Sequence, residues 1–401
     1  MKVIRFKYKK HYIKKSVRNY GKKYKYNRKL SHKLILILIF LILFLFDFIF
    51  EPFRKKEKIL TVLYGSNQKI DISTLSEDDH YKILLPRMKY HPIKRDKPGE
   101  NITLFKLEDS YDYKKMKETG KDKYIYNICT ITKARYENLY AKEFVDYYLS
   151  IGVEKFYFGD DNEENMENLG DVLDDYIKKG IVDVEYIYYK NISHQDFFEE
   201  AFKVLRLRCN WFLFIDVDEF LEFQDKKMNI KTYLDMPIFD KCDAIRIHWI
   251  AYDDNNLVRY DSRPLRERLN HSVSEDHFSR YHKSIVRGKD YKGIVFTGTM
   301  HQPVPETIPE QCDAEGNFER FGIGILGYPR YKYCFFRHYT FKTAEEFTLK
   351  ILKGSHQGSK YNIDNMVDEF FKLNQYTDEK LKVLEHIFNK TFPKYHNNNN
   401  N

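Results

Sequence analysis

An α/β fold built on a parallel central sheet follows from three features of the chain. From Lys123 onward, apolar stretches of strand character alternate with helical stretches of roughly ten to sixteen residues. Each helical stretch is long enough for a right-handed crossover between parallel strands. An acidic cluster, Asp216, Asp218 and Glu219, closes the fourth apolar stretch, at the carboxyl edge where open α/β sheets take ligands.

The elements justify this in order. YIYNICTIT (Tyr124–Thr132) reads as a buried strand, and ENLYAKEFVDYYLSIG (Glu137–Gly152) as a helix with apolar residues at helical spacing and a glycine stop. EKFYFGDD is a strand ending in Asp160 and Asp161, MENLGDVLDDYIKKG a helix closed by Gly180, and VDVEYIYY a third strand. HQDFFEEAFKVLRLRC is a further helix that leads into WFLFIDVDEF (Trp211–Phe220), read as one central strand carrying the acidic cluster. DAIRIHWIAY (Asp243–Tyr252) and HKSIVRG (His282–Gly288) are later strands. TFKTAEEFTLKILKG (Thr340–Gly354) is an amphipathic helix with Thr343 as N-cap and Glu346 completing a capping box.

Charge divides the chain differently. The formal net charge is +9, but residues 1–33 hold fourteen Lys or Arg and no Asp or Glu, which leaves the remainder at 9 − 14 = −5. A mildly acidic body excludes a general nucleic-acid-binding surface. Next comes LILILIFLILFLFDFIF, residues 34–50, with Asp47 its one polar residue. A helix of that length spans about 25 Å, the short end of a transmembrane segment. A cleaved signal peptide would show a shorter basic region and a small-residue cleavage site, whereas DFIFEPFRKK follows here. The basic arm 1–33 is therefore expected in the cytosol, 34–50 as a single-pass type II signal anchor, and the body in the lumen of the secretory pathway, such as the Golgi. Sequons at Asn101, Asn191, Asn270 and Asn389 fit a lumenal body. Residues 51–120 read as a stem, 121–355 as the main domain, and 356–401 as a helical extension with an Asn-rich tail. Five cysteines without a C-x-x-C pair exclude a zinc ribbon and define no disulfide framework.

Six of the seven residues from Trp211 to Val217 are apolar, so the carboxylates at the end of that run need compensation. On an extended chain Asp216 and Asp218 would point to one side. Two hard oxygen donors together suit Mg²⁺ or Mn²⁺, with positions left for phosphate oxygens and water. Pairing with Lys or Arg, or capping of the next helix, is the alternative. On the metal reading the carboxylates repel one another, and removing one is expected to leave or raise stability without the ion.

FLFIDVDEFLEF resembles the D-x-D-E-F signature of glycosyltransferases of the GT-A fold, close to family 92 and the family 2-like group. KARYENLYAKEFVDYYLSIGVEKFYFGDDN resembles that group's opening motif, and HKSIVR and RHYTFKTAEEFTLKILKG resemble its later blocks. The resemblance covers roughly Tyr124 to Gly354 and implies a Rossmann-like, mostly parallel sheet flanked by helices. It implies that Asp216 and Asp218 hold a divalent ion on a nucleotide-sugar donor, with His301 or His338 completing the shell. It implies that Arg135, Glu137 and the Asp160/Asp161 turn face the nucleotide, and that Lys342 and Lys353 neutralise the leaving diphosphate. The acceptor is then a glycan or glycoconjugate hydroxyl, and inversion calls for a carboxylate base, with Asp254, Glu267 and Glu219 as candidates. Trp249 would stack on a sugar face or sit in the core. The segment YDDNNLVRY departs from the small, Gly-containing motif of animal and plant relatives and is more like bacterial and family 2-like members.

Two other classes compete with this resemblance. FLFIDVDEF also resembles the D-x-D strand of haloacid dehalogenase phosphatases, with Asp216 as nucleophile and Asp218 as acid/base. There the motif opens the domain, whereas here three strand–helix units precede it and Glu219-Phe220 follow. A non-catalytic membrane-anchored scaffold explains residues 1–50 but not the acidic cluster.

Overall fold

The strand stretches read from the sequence join others that the sequence did not show in one mixed sheet, ordered β3 (Val182–Tyr186), β2 (Lys155–Asp160), β1 (Tyr126–Ala134), β4 (Cys209–Phe214), β8 (His282–Arg287), β6 (Ala244–Tyr252), β10 (Cys334–His338), β5 (Glu219–Phe223), with β7 (Ser272–Val273) and β9 (Gln311–Asp313) paired to β6. This is a computed structural model. It describes residues 104–105, 124–163, 167–190, 192–273, 281–289, 291, 294–296, 303–318, 329–353 and 363–391. The basic arm, the proposed anchor 34–50, nearly all of the stem, His301, and the sequons at Asn101 and Asn191 lie outside the described residues. Among the described residues no helix is long and apolar enough to cross a membrane.

The first half follows the alternation. β1 (Tyr126–Ala134), β2 (Lys155–Asp160), β3 (Val182–Tyr186) and β4 (Cys209–Phe214) are all parallel. Between them run α1 (Asn138–Ile151), α2 (Leu169–Lys178) and α3 (His194–Leu205). Gly152 ends α1 at φ 106, a left-handed conformation natural to glycine. Phe144 and Tyr148 of α1 and Leu173 of α2 cover one sheet face with Phe158 and Trp211. Phe198 and Phe202 of α3 cover the other with Phe212 and Phe214. The fourth strand therefore ends in mid-sheet, flanked by helices on both faces.

The second half is mixed. β8 (His282–Arg287) runs antiparallel to β4 and to β6 (Ala244–Tyr252), and β10 (Cys334–His338) runs parallel to β6. The single strand expected over Trp211–Phe220 is two. β4 stops at Phe214, the chain turns, and β5 (Glu219–Phe223) restarts antiparallel to β10 at the far end of the order. The turn closes on itself: Glu219 N–H donates to Asp216 O at 3.1 Å, and Asp216 N–H donates to the Glu219 carboxylate at 2.9 Å. Asp216 and Asp218 thus project from a turn, and the side-chain alternation of a strand does not govern them.

Two short strands, β7 (Ser272–Val273) and β9 (Gln311–Asp313), and two short helices, α4 (Ile230–Leu234) and α5 (Leu265–Arg268), fill the second half. α6 (Ala344–Lys353) begins where the capping box was expected, with Thr343 Oγ1 2.7 Å from the Glu346 carboxylate. The C-terminal helices α7 (Ile363–Leu373) and α8 (Asp378–Thr391) pack back on this region. Phe370 stacks on Phe347 at 4.7 Å, and Lys380 pairs with Asp254 at 2.6 Å. Disulfides join Cys129 to Cys209 and Cys242 to Cys312, leaving Cys334 free and buried.

Candidate active site

Three carboxylates leave the end of β4 into different surroundings. The side chains of Asp216 and Asp218 are 32% and 13% exposed, whereas that of Glu219 is sealed. Lysines supply the compensation the sequence demanded. Lys283 of β8 places Nζ 2.7 Å from Asp216 Oδ2 and 3.4 Å from Glu219 Oε2. Lys342, just before α6, reaches Asp218 Oδ2 at 3.2 Å. His194, the first residue of α3, brings Nε2 to 3.4 Å from Asp216 Oδ1. His338 Nε2 stands 3.9 Å from both Asp218 Oδ1 and Glu219 Oε1.

The electrostatics follow. Burial would raise the Asp216 carboxyl, but Lys283 and then His194 outweigh it and hold Asp216 well below the usual carboxylate range. Burial likewise opposes ionisation of Asp218, yet Lys342 and His338 bring it down to about 2. Glu219 goes the other way, raised by burial and by its two acidic neighbours against the pull of Lys283. Burial lowers the His338 imidazole to about 3 despite Asp218. Its ring packs on Trp249, centroid to centroid 4.0 Å, which places that tryptophan against the cluster and nearly buried.

Lys342 has a left-handed backbone, φ 62, costly for a residue with a Cβ and held here by its surroundings. Its ammonium lies 4.7 Å from the Tyr140 ring centroid, and Glu137 adds to the field that raises its pKa against burial. The Tyr140 hydroxyl donates to Glu346 at 2.6 Å, and Arg268 grips the same carboxylate at 2.6 and 2.9 Å. The opening motif around Glu137–Tyr140 and the late block around Lys342–Glu346 therefore meet beside Asp218.

The other expected residues fall elsewhere. Arg135 is buried and pairs with Glu163 at 3.0 Å. Asp160 accepts from Asn162 N–H at 3.0 Å and Leu169 N–H at 2.9 Å, and Asp161 pairs with Lys133 at 3.2 Å, so both carboxylates are engaged within the chain. Asp254 is enclosed by Lys380 and the Asn256 N–H, while Glu267 on α5 is exposed. Lys353 closes α6, its side chain outside what is described. Lys350 one turn earlier donates to Thr340 O at 2.6 Å and acts electrostatically on Asp218 and His338. Sequence reasoning missed Lys283, His194 and Lys350. The one signal for Lys283 was a charge inside the otherwise strand-like HKSIVR.

The acidic turn at the carboxyl end of a central strand, backed by buried lysines, sets carboxylates and ammoniums side by side at the sheet edge. Residues 124–308 match the family model described as Glycosyltransferase family 92, which supports a glycosyltransferase domain over that stretch. The match includes Asp216, Asp218, His194 and Lys283 and stops short of β10 and α6. No curated protein matches the chain.

Proposed function

We propose that this chain is a GT-A glycosyltransferase that moves a sugar from a nucleotide-sugar donor to a glycan or glycoconjugate hydroxyl, with inversion, using Mn²⁺ or Mg²⁺. The observation that carries the reading is the Asp216–Asp218 turn at the end of β4, open to solvent and faced by buried lysines, inside the stretch that matches the family model.

The aspartate oxygens are of the hard type a divalent ion takes. Two aspartates and an imidazole converge, and Glu219 Oε1, buried beside His338, has no hydrogen-bond partner among the described residues. Those residues hold no cluster of three or more His, Cys, Asp or Glu placed to take a metal ion, and Lys283 and Lys342 each lie against one aspartate oxygen. On this reading Asp216, Asp218 and His338, one of the two histidines the sequence offered, would hold the ion, which would supply charge stabilisation of the leaving diphosphate. Lys342, pinned by its backbone and by Tyr140, presents a cation to that diphosphate, with Lys353 beyond it on α6. Arg135 and Glu137 stand on the nucleotide side, while Asp160 and Asp161, engaged within the chain, shape that edge without contacting the donor. Of the three candidate bases, Glu219 serves the turn, Asp254 the packing of α8, and Glu267 is exposed on α5.

The two disulfides support an oxidising compartment, and with the basic arm and apolar segment they favour a type II membrane protein facing the secretory lumen. The test is transfer or donor hydrolysis by the full chain across a panel of nucleotide sugars, with Mn²⁺ or with chelator. Activity that needs the ion and disappears in Asp218→Asn is the expected result. Activity unaffected by excess chelator would remove the metal from the proposal, and a folded protein that turns over no nucleotide sugar would remove the transferase.

A further inference from the structure

Arg268 is buried at the end of α5, and every nitrogen of its guanidinium is committed. Nε donates to Arg263 O at 3.1 Å, and Nη1 and Nη2 grip the two oxygens of Glu346 at 2.9 and 2.6 Å, the strong two-pronged form of a charge pair. The loop that carries it is pinned at three points. Glu143 of α1 accepts from Leu265 N–H at 2.7 Å, Glu345 of α6 from Tyr260 N–H at 2.6 Å, and the Asn255 amide donates to Arg268 O at 3.1 Å.

Glu346 is saturated by this grip. The Tyr140 hydroxyl donates to Oε1 at 2.6 Å and the Thr343 hydroxyl to Oε2 at 2.7 Å. Burial opposes ionisation of Glu346, yet Arg268, followed by Tyr140 and Thr343, holds its carboxyl below the usual range. Lys342 stands four residues before it, and its ammonium feels Asp218, Glu137 and Glu346 together while resting 3.2 Å from Asp218. A carboxylate as enclosed as Glu346 is costly to leave without a cation. With Arg268 removed, Lys342 is a cation already within its field.

We infer that Arg268 is a positioning residue of the donor site: by filling Glu346 it denies that carboxylate to Lys342 and keeps the Lys342 ammonium beside Asp218. The position of Lys342 follows from packing and charge alone, and only its consequence for donor binding rests on the transferase reading. Two buried cations and two carboxylates are sorted into fixed pairs, Arg268 with Glu346 and Lys342 with Asp218. Taking Arg268 away leaves one cation for two carboxylates. The planar fork of an arginine suits the task, because it covers both oxygens where an ammonium is a single point of charge.

The experiment measures the Lys342–Asp218 pair by a double-mutant cycle of Lys342→Met and Asp218→Asn in denaturant unfolding of the full chain, with Arg268 present and again in an Arg268→Met background. A coupling of about five-fold or more in the unfolding constant is expected with Arg268, and loss of most of it without. Glu346→Gln added to Arg268→Met removes the competing charge and should return the coupling, a rescue that a mere loss of packing would not give. Should Arg268→Met fail to fold, Arg268→Lys, which keeps the charge without the fork, should show a smaller loss in the same direction. No coupling in the Arg268 chain, undiminished coupling in a folded Arg268 variant, or no return with Glu346→Gln overturns the inference. Calorimetric binding of UDP, GDP and inorganic pyrophosphate reads the consequence: affinity should fall about ten-fold in Arg268→Met and recover in the double variant. Unchanged affinity in a chain that has lost the coupling would remove Arg268 from the donor site. A wild-type chain that binds none of the three counts against the transferase reading, and the cycle still decides where Arg268 holds Lys342.

Discussion

Two acidic turns close neighbouring strands of one sheet edge, and they are compensated in opposite ways. After β2, Asp160 and Asp161 are wholly buried, and their partners are backbone N–H groups of Asn162 and Leu169 and the ammonium of Lys133 on the adjoining strand. After β4, Asp216 and Asp218 reach solvent and are held by Lys283 and Lys342, 67 and 124 residues away in sequence. At the closed turn the donors are backbone groups fixed by a helix start and a wholly buried ammonium that is also tied to Ile192 O, whereas at the open turn the partners are side chains beside carboxylates that reach solvent. The first turn is finished by folding; the second is held by side chains alone, as the donor-site proposal calls for.

The largest effect expected from this contrast is on the closed turn. Asp161→Asn removes the buried counter-charge of Lys133, since both side chains have 0% exposure, and should cost about 3–5 kcal/mol in denaturant unfolding even though Lys133 keeps its bond to Ile192 O. Donor affinity of the folded fraction should change little. A variant that keeps its stability but loses donor binding would make the β2 turn a ligand site and erase the contrast.

Next in size is a pH effect at Asp160. Burial lifts its carboxyl to about 6, from the ordinary 3.8, against the backbone donors of Leu169 and Asn162. Between those values the folded chain binds a proton that the unfolded chain has released, so stability falls as pH rises through this window. The loss amounts to about 3 kcal/mol and is complete above the folded pKa. Unfolding of wild type and Asp160→Asn compared from about pH 4 to about pH 7 should show the slope in wild type alone. Parallel curves would mean that Asp160 titrates as it does in the unfolded chain.

Much of this architecture was legible in the sequence. Each strand–helix unit from β1 to β4 was visible because one apolar face recurs at period 2 or 3.6, and α6 because Thr343 and Glu346 have capping-box spacing. The break at Ile215–Asp218 was not, because Val217 is itself apolar and buried and makes two strands read as one run. β7 and β9, of two and three residues, are too short to show a period. The lysine partners were hidden for a different reason: β8 and the approach to α6 meet β4 only through the sheet order, which no local pattern encodes. The Asp254–Lys380 pair was hidden in the same way, so an Asp-Asp-Asn-Asn loop read as reactive when its second aspartate is enclosed.

On the open turn the lysines reverse an expectation about stability. Removing a carboxylate was expected to relieve repulsion, yet Asp218→Asn would leave Lys342 nearly buried beside a neutral amide. We expect a cost of about 1–3 kcal/mol, together with loss of transfer. Lys342→Met in the same background should recover part of the stability and none of the activity, and the double-mutant cycle measures the pair directly. Single and double variants that are all as stable as wild type would show that the pair does not hold in solution.

The smallest effect discriminates most finely, because it compares the helix caps that flank the two turns. Asn168 caps α2 beside the closed turn, accepting from Gly170 N–H at 2.7 Å, and Thr343 caps α6 beside the open one, accepting from Glu346 N–H at 3.3 Å. Loss of either cap should cost about 1 kcal/mol, so Asn168→Ala and Thr343→Ala should melt at similar temperatures. Their effects on donor binding should differ. Thr343 follows Lys342, whose left-handed backbone at φ 62 is held where the cap begins, so releasing the cap lets the ammonium drift from Asp218. Asn168 starts the helix whose Leu169 N–H holds Asp160 inside the chain. We therefore expect Thr343→Ala to weaken nucleotide-sugar binding several-fold, by about 1 kcal/mol, and Asn168→Ala to leave it within error of wild type. Calorimetric titration of both variants with the donor, set beside their melting curves, decides the matter. Equal losses in the two would mean that the sheet edge responds as one unit, and that the difference between its acidic turns is one of packing and not of ligand binding.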